Sequence, residues 1–396
     1  MTDRAVKVAL IGARWTVVGH LPVWRAIPGV NVVAICTSHD ESATAASREN
    51  HIPRAYFDYR RLLADEEFDI VDVGTRPNIR QSIVLDALAA SKHVVTCNPF
   101  ATDSAFSRAQ RDLQTAQGVV GAIEAQMQWL PQFLYMRELI DAGYLGEVFG
   151  INLTCHFGLK SHGDATYPAI TRPTGYPTEA GYTWLGQASS GASVVRNIGG
   201  HCLHGVVALF GEAESVMART RIALQQWRFP DGSTFAPQTC DTAGAVLRLR
   251  SGVIVSLNLS WCTPSARGFS LEAWGSEGRL QAEAPGGFPD ATTLRLFGAR
   301  FACQGVSPEP ERPLWIDRAR ELEIPQRLLH PPGSSAALAV PGRYRLAMFN
   351  LLSTLVAACH GEGQAKPDFR QAHHVHQICE AIETSSVTGR AVAVED

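Results

Sequence analysis

Short apolar runs alternate with helical segments in the N-terminal part of the chain. Each run is bounded by Gly, Pro or polar residues, which is typical of buried parallel strands. The runs are Val8–Ile11, Asn31–Cys36, Phe68–Gly74, His93–Thr96 and Val119–Ile123. Helices are predicted between them over Val17–Ala26, Ile79–Ala90 and Asp103–Gln117. This alternation predicts an α/β fold with one doubly wound parallel sheet that ends near residue 125.

The pattern changes after residue 125 to longer segments in which apolar and polar residues alternate. The predicted strands are Val148–Phe157, Ser215–Ala223, Thr242–Arg248, Val253–Trp261, Phe269–Ala273, Arg279–Ala282 and Thr293–Phe297. Hairpin turns are predicted at Ser251-Gly252 and Ser276-Glu277-Gly278, and helices at Arg343–His360 and Gln371–Thr384. The sequence therefore predicts two domains, residues 1–125 and 126–396, the second an α/β domain with a large, mostly antiparallel open sheet.

Composition narrows the class of protein. The chain has 396 residues, 45% hydrophobic and 18% charged, with a net charge of -3. This balance predicts neither a nucleic-acid partner nor disorder. No apolar run approaches the roughly 20 residues that span a bilayer, and the first strand starts too early for a signal peptide. The nine cysteines include no Cys-x-x-Cys, so we expect reduced thiols and a cytoplasmic protein.

The turn after the first strand is the first candidate binding site. Strand, glycine turn and helix form a dinucleotide-binding unit, in which backbone N–H groups and a helix N-terminus face a pyrophosphate. Only the first glycine of Gly-x-Gly-x-x-Gly is present, as Gly12, and the turn continues with Ala13, Arg14 and Trp15. A guanidinium at Arg14 can pair with a phosphate. The alternative is an ordinary buried strand–turn–helix.

The end of the second strand bears on the choice between NAD and NADP. An acidic residue normally lies there and binds the ribose hydroxyls of NAD. This chain has Thr37, Ser38 and His39 instead. Because no carboxylate repels a 2′-phosphate, we expect NADP in preference to NAD. The alternative, for Ser38 in particular, is that these residues only cap the next helix.

Five sequence fragments, in order, carry a resemblance to a known family. They are IGA with HLPVWRAIPGV, ALAASKHVVTCNPFATD, RELIDAGYLGEV, NIGGHCLHGVVALFGE and EAIETSSVTGRAV. Together they resemble the glucose–fructose oxidoreductase / inositol dehydrogenase (Gfo/Idh/MocA) family over essentially the whole chain. The resemblance implies a Rossmann domain that binds NAD(P), a small-molecule substrate between the two domains, and oxidation or reduction of sugar or polyol carbons. It also implies a homodimer, or a dimer of dimers, formed through the free face of the second sheet.

The chain departs from the family pattern at its chemical positions. Cys97-Asn98-Pro99 replaces Glu-Lys-Pro, so Asn98 stands where the family has a lysine that contacts substrate. In the family motif Asp-x-Gly-x-His-x-x-Asp the histidine persists as His201, but Asn197 and His204 replace the aspartates. Gln128 stands where arginine is frequent. These losses most resemble the branch that contains the fungal galactose-pathway repressor, a non-catalytic sensor.

The resemblance implies His201 as the general acid/base, because imidazole titrates near the operating pH. A buried core histidine is the alternative. His204 shares its helical face and can relay a proton or bind substrate, and Asn98 is expected near the substrate and the cofactor ribose. Lys160 can take the role of the missing lysine, or be an exposed loop residue. No third ligand accompanies His201 and His204, so no metal is expected.

Further residues are expected to line the cofactor and the substrate. The family loop after the fourth strand implies cofactor contacts for Thr75, Arg76 and Pro77, and Gln126 matches a position near the nicotinamide carboxamide. Arg76 can instead form a surface ion pair. Expected substrate contacts are Asn197, Tyr182, Trp184 and Gln128. The two aromatic residues can equally serve only to hold the loop against the rest of the protein.

Three functions follow from these expectations. The first is an NAD(P)-dependent oxidoreductase that transfers a hydride to or from a small hydroxyl or carbonyl compound, with His201 moving the proton. The second is a non-catalytic NAD(P)-binding regulator. The third is an enzyme that uses bound NAD(P) for a redox-neutral elimination or hydrolysis.

Overall fold

The structure is a computed structural model that describes residues 4–65, 67–156, 180–228, 233–263, 266–300, 319–339 and 344–395. Its N-terminal half contains a six-stranded sheet in which every neighbouring pair is parallel, in the order β3-β2-β1-β4-β5-β6. The strands are β1 (Val6–Ile11), β2 (Val30–Cys36), β3 (Arg54–Tyr56), β4 (Ile70–Val73), β5 (His93–Cys97) and β6 (Gly121–Glu124). The prediction of a doubly wound parallel sheet is confirmed.

Five helices accompany this sheet, and the first is shorter than predicted. They are α1 (Leu21–Trp24), α2 (Asp40–Glu49), α3 (Tyr59–Leu63), α4 (Pro77–Ala89) and α5 (Ser104–Gln117). The predicted helix over residues 17–26 is a π-helical turn, Thr16–His20, followed by α1. Pro22 explains the difference, because proline has no N–H to donate to the carbonyl four residues earlier and its ring clashes there.

The second sheet has nine strands, in the order β16-β15-β14-β13-β7-β12-β11-β8-β17. A separate hairpin pairs β9 (Trp227–Arg228) with β10 (Thr234–Phe235). The strands of the large sheet are β7 (Val148–His156), β8 (Ala213–Arg221), β11 (Thr242–Leu249), β12 (Ile254–Ser260), β13 (Gly268–Gly275), β14 (Gly278–Ala284), β15 (Arg295–Arg300), β16 (Arg320–Glu321) and β17 (Val392–Ala393). Only the β7–β12 pair is parallel among the strands described, so the prediction of a mostly antiparallel sheet is confirmed.

The helices of the C-terminal part pack against both sheets. They are α6 (Pro131–Asp141), α7 (Gly200–Phe210), α8 (Gln326–Leu329), α9 (Ser335–Ala339), α10 (Arg345–Cys359) and α11 (Phe369–Thr388). Leu351 and Leu355 of α10 lie in the core below β1, and the Phe369 ring of α11 packs on Phe100 with centroids 4.9 Å apart. The last two helices therefore pack against the N-terminal sheet. The domain boundary at residue 125 stays a prediction.

Two features bear on the protein class. The eight cysteines in the described ranges are free. Across the same ranges, no helix combines the length and the apolar character needed to cross a bilayer.

Candidate active site

The candidate site lies at the carboxyl edge of the parallel sheet, between the neighbouring strands β1 and β4. The strand order continues from β1 to β2 and β3 on one side, and from β4 to β5 and β6 on the other. Ligands of doubly wound sheets bind at such a switch point. Gly12 directly follows β1 and has a φ of 109°, a conformation that favours glycine. The Gly12 N–H donates to the carbonyl of Cys36 at 2.9 Å, and the Gly12 carbonyl accepts a hydrogen bond from the Thr16 hydroxyl at 2.6 Å. The turn that the sequence predicted is therefore present.

Two arginines flank this turn. Arg14 and Arg76 are exposed, and they follow β1 and β4 respectively. Partial burial lowers the pKa of Arg76, and the positive charge of Arg14 lowers it further, so the two guanidinium charges interact. Such a pair favours a bound anion. Ala13, the other residue of the turn, is partly buried and packs against the core below β1.

His20, at the end of the π-helical turn, is fully buried and bonded to a buried carboxylate. Its Nδ1 lies 2.8 Å from Asp72 Oδ2, and the Trp24 indole donates to the same oxygen at 2.7 Å. Burial alone would lower the pKa of His20, but the Asp72 charge and the hydrogen bonds to Asp72, Cys97 and Glu124 raise it well above its ordinary value. His20 is therefore an imidazolium at neutral pH, and its Nδ1–H donates to Asp72.

Glu124, the last residue of β6, is the centre of the site. It accepts a hydrogen bond from the Trp15 indole at 2.9 Å, and His20 Nε2 lies 3.5 Å from its carboxylate. Burial opposes ionisation of Glu124, but its contacts with His20, the nearby His201 and Trp15 lower its pKa overall. Glu124 is thus an ionised carboxylate in contact with His20, and the charge of His201, from the other half of the chain, also favours its ionised form.

The donor atoms of His20, Cys97 and Glu124 lie within 4.8 Å of one another, a spacing that metal ligands can have. Arg80 adds a buried positive charge that interacts with Cys97 and Glu124. The contacts of His20 with Asp72 and Glu124 pair opposite charges within this cluster. The Cys97 thiol has a raised pKa, chiefly because it is buried, so it is a poor nucleophile.

His201 is the second residue of α7 and is partly exposed. Its Nδ1 is buried and has no hydrogen-bond partner, and its ring lies edge-on to Phe288 with centroids 5.5 Å apart. Burial lowers the pKa of His201, and the Glu124 charge partly opposes that effect. The imidazole is consequently neutral at pH 7, which is the form that can accept a proton.

Asn98 joins the two halves of the protein next to His201. Its Nδ2 donates to the carbonyls of Arg196 and Asn197 at 2.9 and 2.7 Å. A Cβ at Gly200 would lie 2.6 Å from Asn98 Oδ1, so this close approach requires glycine. Both N–H groups of the Asn98 amide are therefore used inside the protein, and Asn98 and Asn197 lie next to the start of α7.

His204 and Gln128 are engaged with α11. Gln371 Nε2 donates to Gln128 Oε1 at 2.9 Å and to His204 Nδ1 at 3.3 Å. His204 is fully buried, and burial, with smaller contributions from His201 and His374, lowers its pKa to about 3. It therefore stays neutral at physiological pH, which disfavours the protonated form that the predicted proton relay would need.

The remaining predicted cofactor residues lie along the same edge. Pro77 begins α4, and the Thr75 carbonyl accepts from buried Arg80 at 2.6 Å. The Thr75 hydroxyl and Gln126 Oε1 are buried without a hydrogen-bond partner.

After β2, a polar cluster occupies the position where an acidic residue is usual. The Thr37 hydroxyl lies 2.6 Å from that of Ser42, and both donate to the His39 carbonyl at 2.9 Å. Ser38 and His39 are exposed. The first turn of α2 carries Asp40, so a carboxylate is near this position although none occupies it.

Three predicted site residues belong to the segment between β7 and α7. Lys160 lies outside the described residues, as does the side chain of Tyr182. Trp184 is partly exposed and packs against the core of the second domain.

Sequence reasoning missed the group formed by His20, Asp72 and Glu124. Two signals were available: Asp72 interrupts an otherwise apolar strand, and Glu124 directly follows another. A charged residue at a buried strand position needs a partner. The partner, His20, is distant in the sequence and could not be identified from spacing.

The residues present fit a nicotinamide dinucleotide. Gly12 supplies the turn, Arg14 and Arg76 supply positive charge, and the unpartnered Gln126 Oε1 and Thr75 hydroxyl supply hydrogen-bonding groups at the same edge. Unpartnered buried polar atoms are uncommon, and a bound molecule is one way to satisfy them.

Comparisons with known proteins also indicate an NAD-binding oxidoreductase. A model described as the oxidoreductase family with an NAD-binding Rossmann fold matches residues 6–122, and one described as the GFO/IDH/MocA C-terminal domain matches residues 133–281.

Among curated relatives, an uncharacterized oxidoreductase, C115.03, of Schizosaccharomyces pombe is 28% identical over 217 residues, 54% of each protein. The match thus spans about half the length of that relative. The D-apiose dehydrogenase of Paraburkholderia graminis is 26% identical over 287 residues, 72% of this chain and 69% of that protein. Among solved structures, levoglucosan dehydrogenase in complex with NADH superposes with a TM-score of 0.82 at 19% identity, covering 99% of this chain and 100% of that chain. At this identity the likeness concerns the fold.

Proposed function

The chain belongs to the Gfo/Idh/MocA family of NAD-binding oxidoreductases, and from that membership we propose that it oxidises or reduces one carbon of a small hydroxyl or carbonyl substrate. The observation that supports the proposal is the position of His201 at the start of α7, which Asn98, from the carboxyl end of β5, holds through the carbonyls of Arg196 and Asn197 and by its close approach to Gly200. This arrangement joins a proton-transfer group to the cofactor edge. When bound, the dinucleotide supplies the hydride donor or acceptor.

We propose that the carboxyl edge holds NAD(P) through four of the residues described above. Gly12 allows the backbone to turn beside the pyrophosphate, and Arg14 and Arg76 pair with its charge. Gln126 Oε1 accepts a hydrogen bond from the carboxamide. Because Thr37, Ser38 and His39, which directly follow β2, carry no carboxylate, we favour NADP over NAD. A lower dissociation constant for NAD would instead assign the ribose hydroxyls to Asp40.

His201 is proposed to move the substrate proton. A neutral imidazole accepts the hydroxyl proton when the substrate is oxidised and returns it when the carbonyl is reduced. The Glu124 carboxylate stabilises the imidazolium that forms. Asn98 holds the segment before α7 in place, since its two N–H groups bind the carbonyls of Arg196 and Asn197. In this proposal Asn98 is a positioning residue, and it does not replace the family lysine as a proton carrier.

The test compares His201→Asn with a control, His360→Asn, which changes an exposed histidine at the end of α10. With a carbonyl and alcohol panel, we expect H201N to lower kcat by about 10²- to 10⁴-fold while the dissociation constants for NAD(P) stay unchanged. H360N should match the wild type. Unchanged turnover in H201N would refute the role of His201.

The same assay separates the two alternatives. Tight dinucleotide binding without turnover of any panel member would assign a regulator. Product formation without a change in the absorbance of reduced nicotinamide would assign a redox-neutral reaction.

We further propose a homodimer formed through the outer face of the large sheet. Met217 and Val246 lie directly opposite each other on β8 and β11, and they are 53% and 49% exposed. Ile254 on β12 is 46% exposed. Exposed apolar side chains grouped on one sheet face favour a protein interface. Light scattering that shows a monomer at micromolar concentration would exclude this dimer.

A further inference from the structure

We propose that Glu124 takes the place of the glutamate that the Glu-Lys-Pro motif would put at position 97, so that the carboxylate lies at the end of the neighbouring strand. In this role Glu124 is a positioning residue that holds the loops of the cofactor edge. The inference rests on the proposed function, because it concerns the cofactor half of the same site. It predicts that the carboxylate can be moved back to position 97 without loss.

Positions 97 and 124 are direct neighbours in the parallel sheet. Cys97 is the last residue of β5, Glu124 is the last residue of β6, and the two are paired in the strand register. They are 7% and 4% exposed. The donor atoms of Cys97, Glu124 and His20 all lie within 4.8 Å of one another. A carboxylate at either position can therefore reach the same imidazole.

The surrounding charges favour one carboxylate at this pair of positions. His20 and Arg80 are buried cations, and Asp72 and Glu124 are buried carboxylates, so the positive and negative charges balance. The Arg80 charge interacts with both Cys97 and Glu124. Buried charges are stable when they are paired. A second carboxylate at position 97 would give this cluster an excess negative charge, and removal of Glu124 would give it an excess positive charge.

Glu124 holds the turn after β1 through Trp15. The Trp15 indole N–H donates to Glu124 Oε2 at 2.9 Å, and His20 Nε2 lies 3.5 Å from the same oxygen. A Cβ at Gly19 would lie 2.7 Å from the indole ring, so the ring lies directly against this glycine. A hydrogen bond to an ionised group is stronger than one between neutral groups. The carboxylate therefore fixes a side chain of the turn that we propose faces the pyrophosphate.

Arg80 connects the same cluster to two further loops. Its guanidinium donates to the carbonyl of Thr75 at 2.6 Å and also to the carbonyl of Pro99. Thr75 follows β4 and Pro99 follows β5, so both loops lie at the carboxyl edge. Arg80 is 2% exposed, and a buried cation that loses a counter-charge is unfavourable. The Glu124 charge thus supports the position of both loops as well as the turn after β1.

The experiment exchanges the two residues in the full-length protein under reducing conditions. Glu124→Cys should raise the dissociation constant for NADP, measured by calorimetry, about tenfold or more, and should lower the urea midpoint. Cys97→Glu alone should lower the urea midpoint because it adds an unbalanced carboxylate. The double variant C97E/E124C should return both quantities towards wild type. The matched control is Glu138→Cys, an exposed residue paired with Arg327, which should change neither quantity.

Recovery in the double variant is a result that a carboxylate needed only at position 124 would not give. A double variant as defective as E124C would overturn the inference, as would an E124C variant equal to wild type. Recovery of the urea midpoint without recovery of the dissociation constant would overturn the positioning role.

If the single variants do not fold, circular dichroism of the double variant decides, since a folded double variant supports the inference and an unfolded one overturns it. Glu124→Gln, which keeps the shape and removes the charge, then gives the dissociation constant of a chain without this carboxylate, and an unchanged value would overturn the positioning role. A wild type that binds neither NAD nor NADP would count against the proposed function, while the urea midpoints of the four chains would still test the exchange.

Discussion

The substitution Asp72→Asn tests the buried group that holds the site together. Asp72 lies in β4 with no exposed surface and accepts hydrogen bonds from His20 and Trp24 at 2.8 and 2.7 Å. Asparagine keeps the shape and one acceptor oxygen but removes the negative charge. The protonated His20 ring would then lose its nearest counter-charge inside the protein.

The expected cost follows from this burial. Breaking a buried ion pair by removing one partner typically destabilises a protein by about 3–5 kcal/mol. Because the asparagine carbonyl still accepts from Trp24, we expect the lower end, about 3 kcal/mol at pH 6. The control is Asp86→Asn on α4, whose carboxylate is 42% exposed and lies 3.4 Å from Arg60. An exposed pair of that kind contributes at most about 1 kcal/mol.

The pH dependence gives a second, independent readout. The pKa of His20 is raised in the folded protein, so the folded state keeps this proton at pH values where the unfolded chain has lost it. The stabilisation from the pair is complete below about pH 6.5, the ordinary pKa of histidine. It is lost as the pH rises through the folded-state pKa of His20. The difference in stability between wild type and D72N should therefore shrink as the pH rises above neutrality.

Urea unfolding followed by circular dichroism and tryptophan fluorescence, repeated from pH 6 to pH 9, measures both quantities. A cost for D72N no larger than that for D86N would refute the buried pair. A cost that does not change across this pH range would show that His20 is neutral in the folded protein, and would refute the charge assignment.

Three further predictions concern the site. Arg14→Ala should weaken NAD(P) binding about tenfold or more, with the loss largest at low salt. An unchanged dissociation constant by calorimetry would argue against the phosphate contact. The Glu124 charge raises the pKa of His201, so Glu124→Gln should lower that pKa. The acid limb of the kcat/KM profile for oxidation should then move to lower pH. A shift to higher pH would contradict the assignment. Arg196→Met should destabilise the protein by about 2–3 kcal/mol because it breaks the charged hydrogen bonds to Glu383, a cost measurable by urea unfolding and absent if that pair is not formed.

Several parts of the site were predictable because they follow local rules. Gly12 could be identified as the turn residue because an apolar run stops there, and the structure shows the positive φ that the turn requires. His201 was identified through the family motif. Asn98 was placed beside the substrate region, but its actual role, binding two carbonyls of another domain, depends on residues almost a hundred positions later.

What the sequence by itself determined is the order and type of elements, since the length and period of apolar runs decide whether a segment is buried as a strand or packs as a helix. It also determined which chemical groups the family would normally carry and which are replaced here. Only the tertiary structure decided that Asp72, His20 and Glu124 form one charged group, that the His204 pKa falls to about 3, and that Phe288 stands beside His201. The physical reason is that burial and charge pairing depend on distances between segments far apart in the chain, and sequence spacing carries no information about those distances.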